Sequence, residues 1–79
     1  MTPKQFRVAI TALGMTQQGA ARFLEMNPRT VRRYALGTQP VTPIVAMLLT
    51  LMLRHCRDPN KVRAMVGLNA VDVGAEYFE

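Results

Sequence analysis

The sequence predicts an all-α fold, a compact bundle of about five short helices in one domain. Four of the five helix starts place a capping residue directly before proline, and proline is favoured at the first helical position. Those four capping residues are Thr2, Asn27, Thr42 and Asp58. Apolar residues follow each start at helical spacing. The length of 79 residues suits one domain with a small core.

The first two helices have clear boundaries. The first begins with the capping box at residues 2–5 and is expected to end at Gly14, because glycine adopts the left-handed conformation at little cost. Its apolar stripe is Phe6, Ala9, Ile10 and Leu13. Thr16 caps the second helix, roughly residues 17–24, and small residues on its inward face allow another helix to approach closely. That face is Ala20, Ala21 and Leu24.

The third helix has two chemically different sides. It begins at Asn27 and Pro28, runs to about Leu36 and ends at Gly37. At 100° per residue, one side holds Arg29, Arg32, Arg33 and Leu36, and the opposite side holds Val31, Tyr34 and Ala35. The second side can be buried in protein, whereas the first can only face water or an anion.

The fourth helix begins at Thr42 and Pro43 and is apolar around nearly its whole circumference. We expect a core stripe against the first helix, formed by Ile44, Met47, Leu48 and Leu51. This stripe leaves other apolar residues uncovered, and we expect three of them in a two-fold dimer interface: Ala46, Leu49 and Leu53. The alternative is that the fifth helix and the tail cover them. The fifth helix begins at Asp58 and Pro59 and ends at Gly67, with the stripe Val62, Met65 and Val66.

Charge divides the chain into a basic body and an acidic tail. The formal net charge is +5, and all ten Lys and Arg lie in residues 1–68, the predicted helical domain. Residues 69–79 hold three acids and no base, and form the predicted C-terminal tail. A basic balance favours a nucleic acid as partner, then an anionic membrane surface, and is also compatible with an ordinary basic protein.

Few features indicate a compartment. Cys56 is the single cysteine, so no internal disulfide is possible. The start of the chain shows no signal-peptide pattern. The longest apolar run, residues 44–53, is too short to span a bilayer. We therefore expect a cytoplasmic protein without a membrane partner.

The second and third helices together suit contact with DNA. Gln17 and Gln18 lie at a helix N-terminus, where free N–H groups and the dipole favour a phosphate. Arg29 lies in the first turn of the third helix, the part of a recognition helix that reaches deepest into the major groove. We assign Arg29 and Arg33 to base edges, where bidentate contact with guanine is favoured. Arg32 and Thr30 flank them, so we assign both to phosphates.

Residues 16–37 resemble the helix-turn-helix of the phage-repressor family, also called Cro-like or XRE. The resemblance extends over residues 6–53 and is absent from the last eleven residues. The matching residues are Thr16, Gln17, Ala21, Leu24, Met26, Thr30, Val31, Arg33, Tyr34 and Gly37. It implies a lambda-repressor-like, all-helical domain that binds double-stranded DNA sequence-specifically, usually as a dimer, in transcriptional regulation.

Three residues depart from the family pattern. Glu25 stands in the turn where glycine is usual, and costs about 1 kcal/mol relative to glycine if its φ is positive. Pro28 replaces a residue that is often polar and contacts a base. Gly19 replaces the usual glutamate and weakens the second helix.

Two other classes of function were considered. An antitoxin or another protein-interaction module would neutralise a partner through the fourth helix or the tail. A catalytic domain is not expected, nor a metal or cofactor, because His55 and Cys56 have no second ligand or orienting group. The tail either packs Tyr77 and Phe78 on the body or competes with DNA through its acids.

Overall fold

Five α-helices form the fold in the computed structural model, which describes residues 1–74. In chain order they are α1 (Pro3–Ala12), α2 (Gln17–Leu24), α3 (Pro28–Leu36), α4 (Pro43–His55) and α5 (Pro59–Met65). Residues 1–74 contain no strand. The predicted all-α class is confirmed, and every helix begins directly after the capping residue that the sequence predicted.

Side chains cap four of the five helix starts. The Gln5 amide donates to Thr2 Oγ1 over 3.1 Å, and the Thr2 amide donates to Gln5 Oε1 over 2.9 Å, which completes the capping box. The corresponding caps of α2, α3 and α5 are Thr16, Asn27 and Asp58. Thr42 makes no such bond, so α4 relies on its first-turn proline and on packing.

Helix α1 packs against α3 and α4, and α2 packs against α3 and α5. The core draws buried residues from α1, α2, α3 and α4. At its centre the ring of Phe6 meets Tyr34 edge-on, with ring centroids 5.6 Å apart. All four residues of the predicted α1 stripe are buried, as are Val31, Tyr34 and Ala35 on α3. The predicted inward faces of these two helices are therefore confirmed.

The predicted core stripe of α4 is displaced by one residue, and of its four members only Leu48 packs against the core. Val45, Leu49 and Met52 are buried, whereas Ile44, Met47 and Leu51 are 75 %, 58 % and 57 % exposed. An advance of one residue rotates the buried face by 100°. Since α4 is apolar on nearly every side, its periodicity does not select a face, and contact with α1 decides which one is buried.

Leu49 belongs to the core, so its assignment to a dimer interface is wrong. Its side chain is fully buried within one copy of the chain and has no surface left for a second copy. Ala46 and Leu53, predicted with it, are only partly buried. They line a groove between α1 and α4, and their role in an interface stays a prediction.

The α5 stripe is also different from the prediction. Met65 and Val66 are exposed and Val62 is partly buried, while Pro59 and Arg63 are the buried residues of this helix. Arg63 faces α2 because its guanidinium donates to main-chain carbonyls there and beyond α5. Polar bonds of a single side chain, rather than apolar spacing, thus orient this seven-residue helix.

Residues 69–74 of the predicted tail return along α2 and α5. The Asn60 side chain exchanges two hydrogen bonds with the main chain of Val71, each 2.9 Å long. The Thr16 amide donates to the carbonyl of Val73 over 2.9 Å. The expectations for Tyr77, Phe78 and the last two acids concern residues 75–79, which lie outside the described part of the chain.

Candidate nucleic-acid interface

The outward side of α3 carries three exposed arginines, Arg29, Arg32 and Arg33, which we call the arginine face. Within residues 1–74, no carboxylate lies at ion-pair distance from any of the three. Their charge is therefore not neutralised by the described part of the chain. Thr30, at the edge of this face, is partly buried. The positions predicted for base and phosphate contacts thus lie together on one accessible surface.

Contacts with α1 hold the C-terminal half of α3. The Arg7 guanidinium donates to the carbonyl of Ala35. Gly37 ends α3 with a φ of 84°, and a Cβ at this glycine would stand 2.9 Å from Cγ of Pro3. A larger residue at position 37 would be strained in its backbone and would crowd the start of α1. The arginine face is thus fixed on the body from behind.

The turn between α2 and α3 is a Schellman motif with a glutamate in the glycine position. The Met26 amide donates to the carbonyl of Ala21, and the Glu25 amide to that of Arg22. Glu25 has φ 53° and ψ 47°, at the centre of the left-handed region. The φ of Glu25 is thus positive, so the cost of about 1 kcal/mol relative to glycine that was expected for a positive φ applies. Asn27 follows and caps α3 through the Arg29 amide.

The N-terminus of α2 holds the other two predicted contact residues. Gln17 and Gln18 occupy its first turn and are partly buried. Thr16 Oγ1 caps the helix by accepting from the Gly19 amide over 2.9 Å. The carbonyl of Val73 lies against this end of α2 and accepts from the Thr16 amide over 2.9 Å. A phosphate contact by Gln17 and Gln18 therefore stays a prediction.

Arg63 is a structural residue of this region that the sequence did not indicate. It is 6 % exposed and is the buried charged residue of the described chain. Its Nη1 donates to the carbonyl of Phe23 over 2.8 Å and lies 3.4 Å from Oε2 of Glu25. Its Nε donates to the carbonyl of Asn69 over 2.6 Å. One side chain therefore connects the end of α2, the turn and the segment after α5.

Gly19 is a second residue whose role the structure explains. A Cβ at this position would overlap the main-chain carbonyl of Val73. The glycine that weakens α2 is thus the residue that lets residues 69–74 approach it. An isolated glycine inside a predicted helix is a recognised signal for such close approach, and it was the one clue in the sequence.

An apolar groove of about 830 Å³ lies between α1 and α4, away from the arginine face. Its exposed apolar side chains include Val8, Met47 and Leu51. Ala46 and Leu53, two of the three predicted interface residues, also line it. Large exposed apolar side chains that share one surface are typical of a contact with another protein.

Residues 1–74 lack the features of two other kinds of site. No group of three potential metal ligands from His, Cys, Asp or Glu is present there. None of the described helices has the length and apolar character needed to cross a membrane.

Comparisons of the chain with protein-family models, with curated proteins and with solved structures give no match. The resemblance to the phage-repressor family therefore depends on the residues of the sequence alone.

Proposed function

We propose that this chain is a sequence-specific double-stranded DNA-binding protein and acts as a transcriptional regulator. In this proposal α2 and α3 form a helix-turn-helix, and α3 enters the major groove. The observation that carries it is the arginine face, which is exposed and has no carboxylate at ion-pair distance in residues 1–74, while the opposite side of α3 is fully buried. Such a helix presents cationic donors on a rigid support, as recognition of DNA requires.

Each contact residue has a proposed role. Arg29, in the first turn of α3, and Arg33, one turn later, bind base edges, since a guanidinium bonds guanine O6 and N7 in a bidentate manner. Arg32 and Thr30 bind phosphates beside the groove. Gln17 and Gln18 bind a phosphate at the N-terminus of α2 with the support of the helix dipole.

The spacing of the phage-repressor motif supports this proposal independently of charge. The capping residues Thr16 and Asn27, the small buried residues Ala20 and Ala21, and the C-terminal Gly37 occur in the order that the motif requires. Surface arginines alone occur on many helices, but they are not usually combined with this order.

Selection of bound duplexes from a random pool, followed by alanine variants, tests the proposal. Arg29→Ala is expected to relax preference at one base pair and to weaken binding to the preferred site by about 1–3 kcal/mol. Arg32→Ala is expected to weaken binding to all sequences similarly and to lower the salt slope by about one unit. Both variants lose one positive charge, so a difference between their effects on binding reflects the roles of the two arginines and not the loss of charge.

Arg54→Ala is the matched control, because this exposed arginine lies on α4, outside the proposed interface. It should alter affinity least of the three. Failure of the wild-type chain to enrich any sequence would refute sequence-specific binding. Equal, sequence-independent losses from Arg29→Ala and Arg32→Ala would refute the assignment of roles.

We further propose that the groove between α1 and α4 is the interface of a homodimer. Val8, Met47 and Leu51 expose apolar surface there, and a two-fold pair would present two arginine faces to a two-fold DNA site. Sedimentation should show a dimer at micromolar concentration and a monomer for Met47→Glu. Met65→Glu is the control, since Met65 is similarly exposed but lies on α5. A wild-type monomer, both free and on a palindromic site, would contradict this part of the proposal.

A further inference from the structure

Residues 69–74, which we call the strap, contact α2 along its length. At the N-terminus of α2, the Thr16 amide donates to the carbonyl of Val73 over 2.9 Å. Further along, Arg22 Nε donates to the carbonyl of Asp72 over 2.5 Å. At the C-terminal end, Arg63 bonds both the carbonyl of Phe23 and the carbonyl of Asn69, where the strap begins. The strap is therefore bonded near both ends of α2 and between them.

Two residues, Gly19 and Asn60, specifically accommodate the strap. Gly19 leaves the space that the Val73 carbonyl occupies, since a Cβ there would overlap it. Asn60, on α5, bonds both the amide and the carbonyl of Val71. The main-chain polar groups of the strap at Val71 and Val73 are paired, and Gly19 makes room for the segment. The strap is therefore an integral part of the fold.

The strap holds α2 in position and so acts as a brace for this helix. This has a direct consequence for α3. Helix α2 has only eight residues, too few to be stable alone, so its direction depends on its neighbours. A turn of three residues joins it to α3, and the two helices pack together. Any change in the seating of α2 is therefore transmitted to α3 and to the arginine face.

We propose that the strap, with Gly19, Asn60 and Arg63 as positioning residues, sets the orientation of α2 and α3 and thereby the sequence discrimination of the arginine face. The consequence for DNA rests on the proposed function, whereas the brace itself does not. Without the strap the arginines stay on the outward side of α3, but the orientation of α3 relative to DNA changes. Contacts with bases are therefore weakened more than contacts with phosphates.

Two variants release the strap by independent routes. Gly19→Ala fills the space under Val73, and Asn60→Ala removes both bonds to Val71. Asn69→Ala is the control, because Asn69 accepts from Arg63 through its main-chain carbonyl, which the substitution keeps. The full chain is used in each case, with helix content and the thermal midpoint recorded, so that the outcome does not depend on one variant that fails to fold.

Amide hydrogen exchange tests the brace without DNA. Both release variants should exchange at least tenfold faster at Thr16 and at Met26, relative to Leu13 at the end of α1. The Met26 amide bonds the carbonyl of Ala21 in α2, and the Leu13 amide bonds the carbonyl of Ala9 in α1. Faster exchange is expected at the first amide and not at the second. General destabilisation would accelerate all three together. Unchanged ratios of Thr16 and Met26 to Leu13 in both variants would overturn the proposal.

Binding to the selected site and to a scrambled duplex tests the consequence. Both release variants should lose at least tenfold in the ratio of the two affinities, with the salt slope unchanged, and Asn69→Ala should keep the wild-type ratio. An unchanged ratio, or tighter binding to both duplexes, would overturn the positioning role. If the wild-type chain binds no DNA, the proposed function fails, and hydrogen exchange still decides whether the strap braces α2.

Discussion

Replacement of Glu25 tests how the turn between α2 and α3 is stabilised. Glu25 lies at φ 53° and ψ 47°, within a few degrees of the ideal left-handed helix, so the full cost of that region for an L-residue applies. Gly14 and Gly67 end α1 and α5 in the same left-handed region, with φ of 75° and 80°. With Glu25 and with Gly37, which ends α3 at φ 84°, they make four left-handed helix ends in residues 1–74, and only Glu25 carries a Cβ.

Two opposing terms are expected in Glu25→Gly. Removal of the Cβ relieves roughly 1–2 kcal/mol of left-handed strain, while glycine adds about 0.4–1 kcal/mol of entropy to the unfolded chain. The substitution also removes the ion pair with Arg63, whose atoms are 3.4 Å apart. The glutamate carboxylate is mostly exposed, so this pair contributes only about 0–1 kcal/mol. The net effect on the free energy of unfolding is therefore small.

A comparison with Glu25→Gln separates the terms. Glutamine keeps the strained Cβ and removes the charge, so it should be less stable than wild type by at most about 1 kcal/mol. The free energy of unfolding of the glycine variant should then exceed that of the glutamine variant by about 0–1.6 kcal/mol, the strain relieved less the entropy added. Each kcal/mol corresponds to about 4–8 °C in the thermal midpoint of a chain of this size. Urea unfolding of the three chains measures both differences. A glycine variant that is less stable than the glutamine variant would refute the strain argument.

Two further substitutions test the packing. Leu49→Ala should reduce the free energy of unfolding by about 2–5 kcal/mol, because it empties a fully buried site, whereas Leu51→Ala, on the exposed side of the same helix, should cost far less. Equal losses of unfolding free energy in the two variants, measured in urea, would show that Leu51 is as buried as Leu49. Arg63→Met should cost about 1–3 kcal/mol, since it leaves the carbonyl of Phe23 without its buried donor, and a thermal midpoint equal to wild type would contradict this.

Helix starts were predictable from the sequence because their causes are local. A capping residue, a first-turn proline and the first apolar residue lie within one turn of each other. All five starts were predicted at the observed residue, including Thr42, which makes no side-chain cap bond. The buried side of α3 was equally predictable, because Arg29, Arg32 and Arg33 exclude the other side from the core.

The buried side of α4 was not predictable in this way. An amphipathic helix identifies its own inward face, whereas an apolar helix leaves the choice to its neighbours. Val45 and Leu49 are buried and Ile44 and Met47 are exposed, although all four are apolar. The dimer prediction was affected for the same reason, since Leu49 was assigned to the surface by the same choice of face.

Arg63 and the strap were beyond prediction because they connect residues distant in the sequence. Arg63 and Phe23 are 40 positions apart, and Thr16 and Val73 are 57 apart. No local pattern records such a pair. Gly19 is the exception. A glycine inside a helix costs about 1 kcal/mol relative to alanine, so its presence in α2 indicates that another segment packs closely against it.

The candidate site therefore has two physical origins. Local rules place Arg29 and Arg33 on the outward side of α3, so the sequence alone identifies them as side chains available to the proposed DNA partner. The tilt of α3 depends on the Glu25 turn, on Arg63 beneath it and on the strap along α2, and these contacts act only in the folded chain. Base contacts require the correct tilt of α3, whereas phosphate contacts largely do not. Affinity for DNA should therefore depend mainly on the arginines, and sequence discrimination should depend mainly on the contacts that hold α2 and α3 in position.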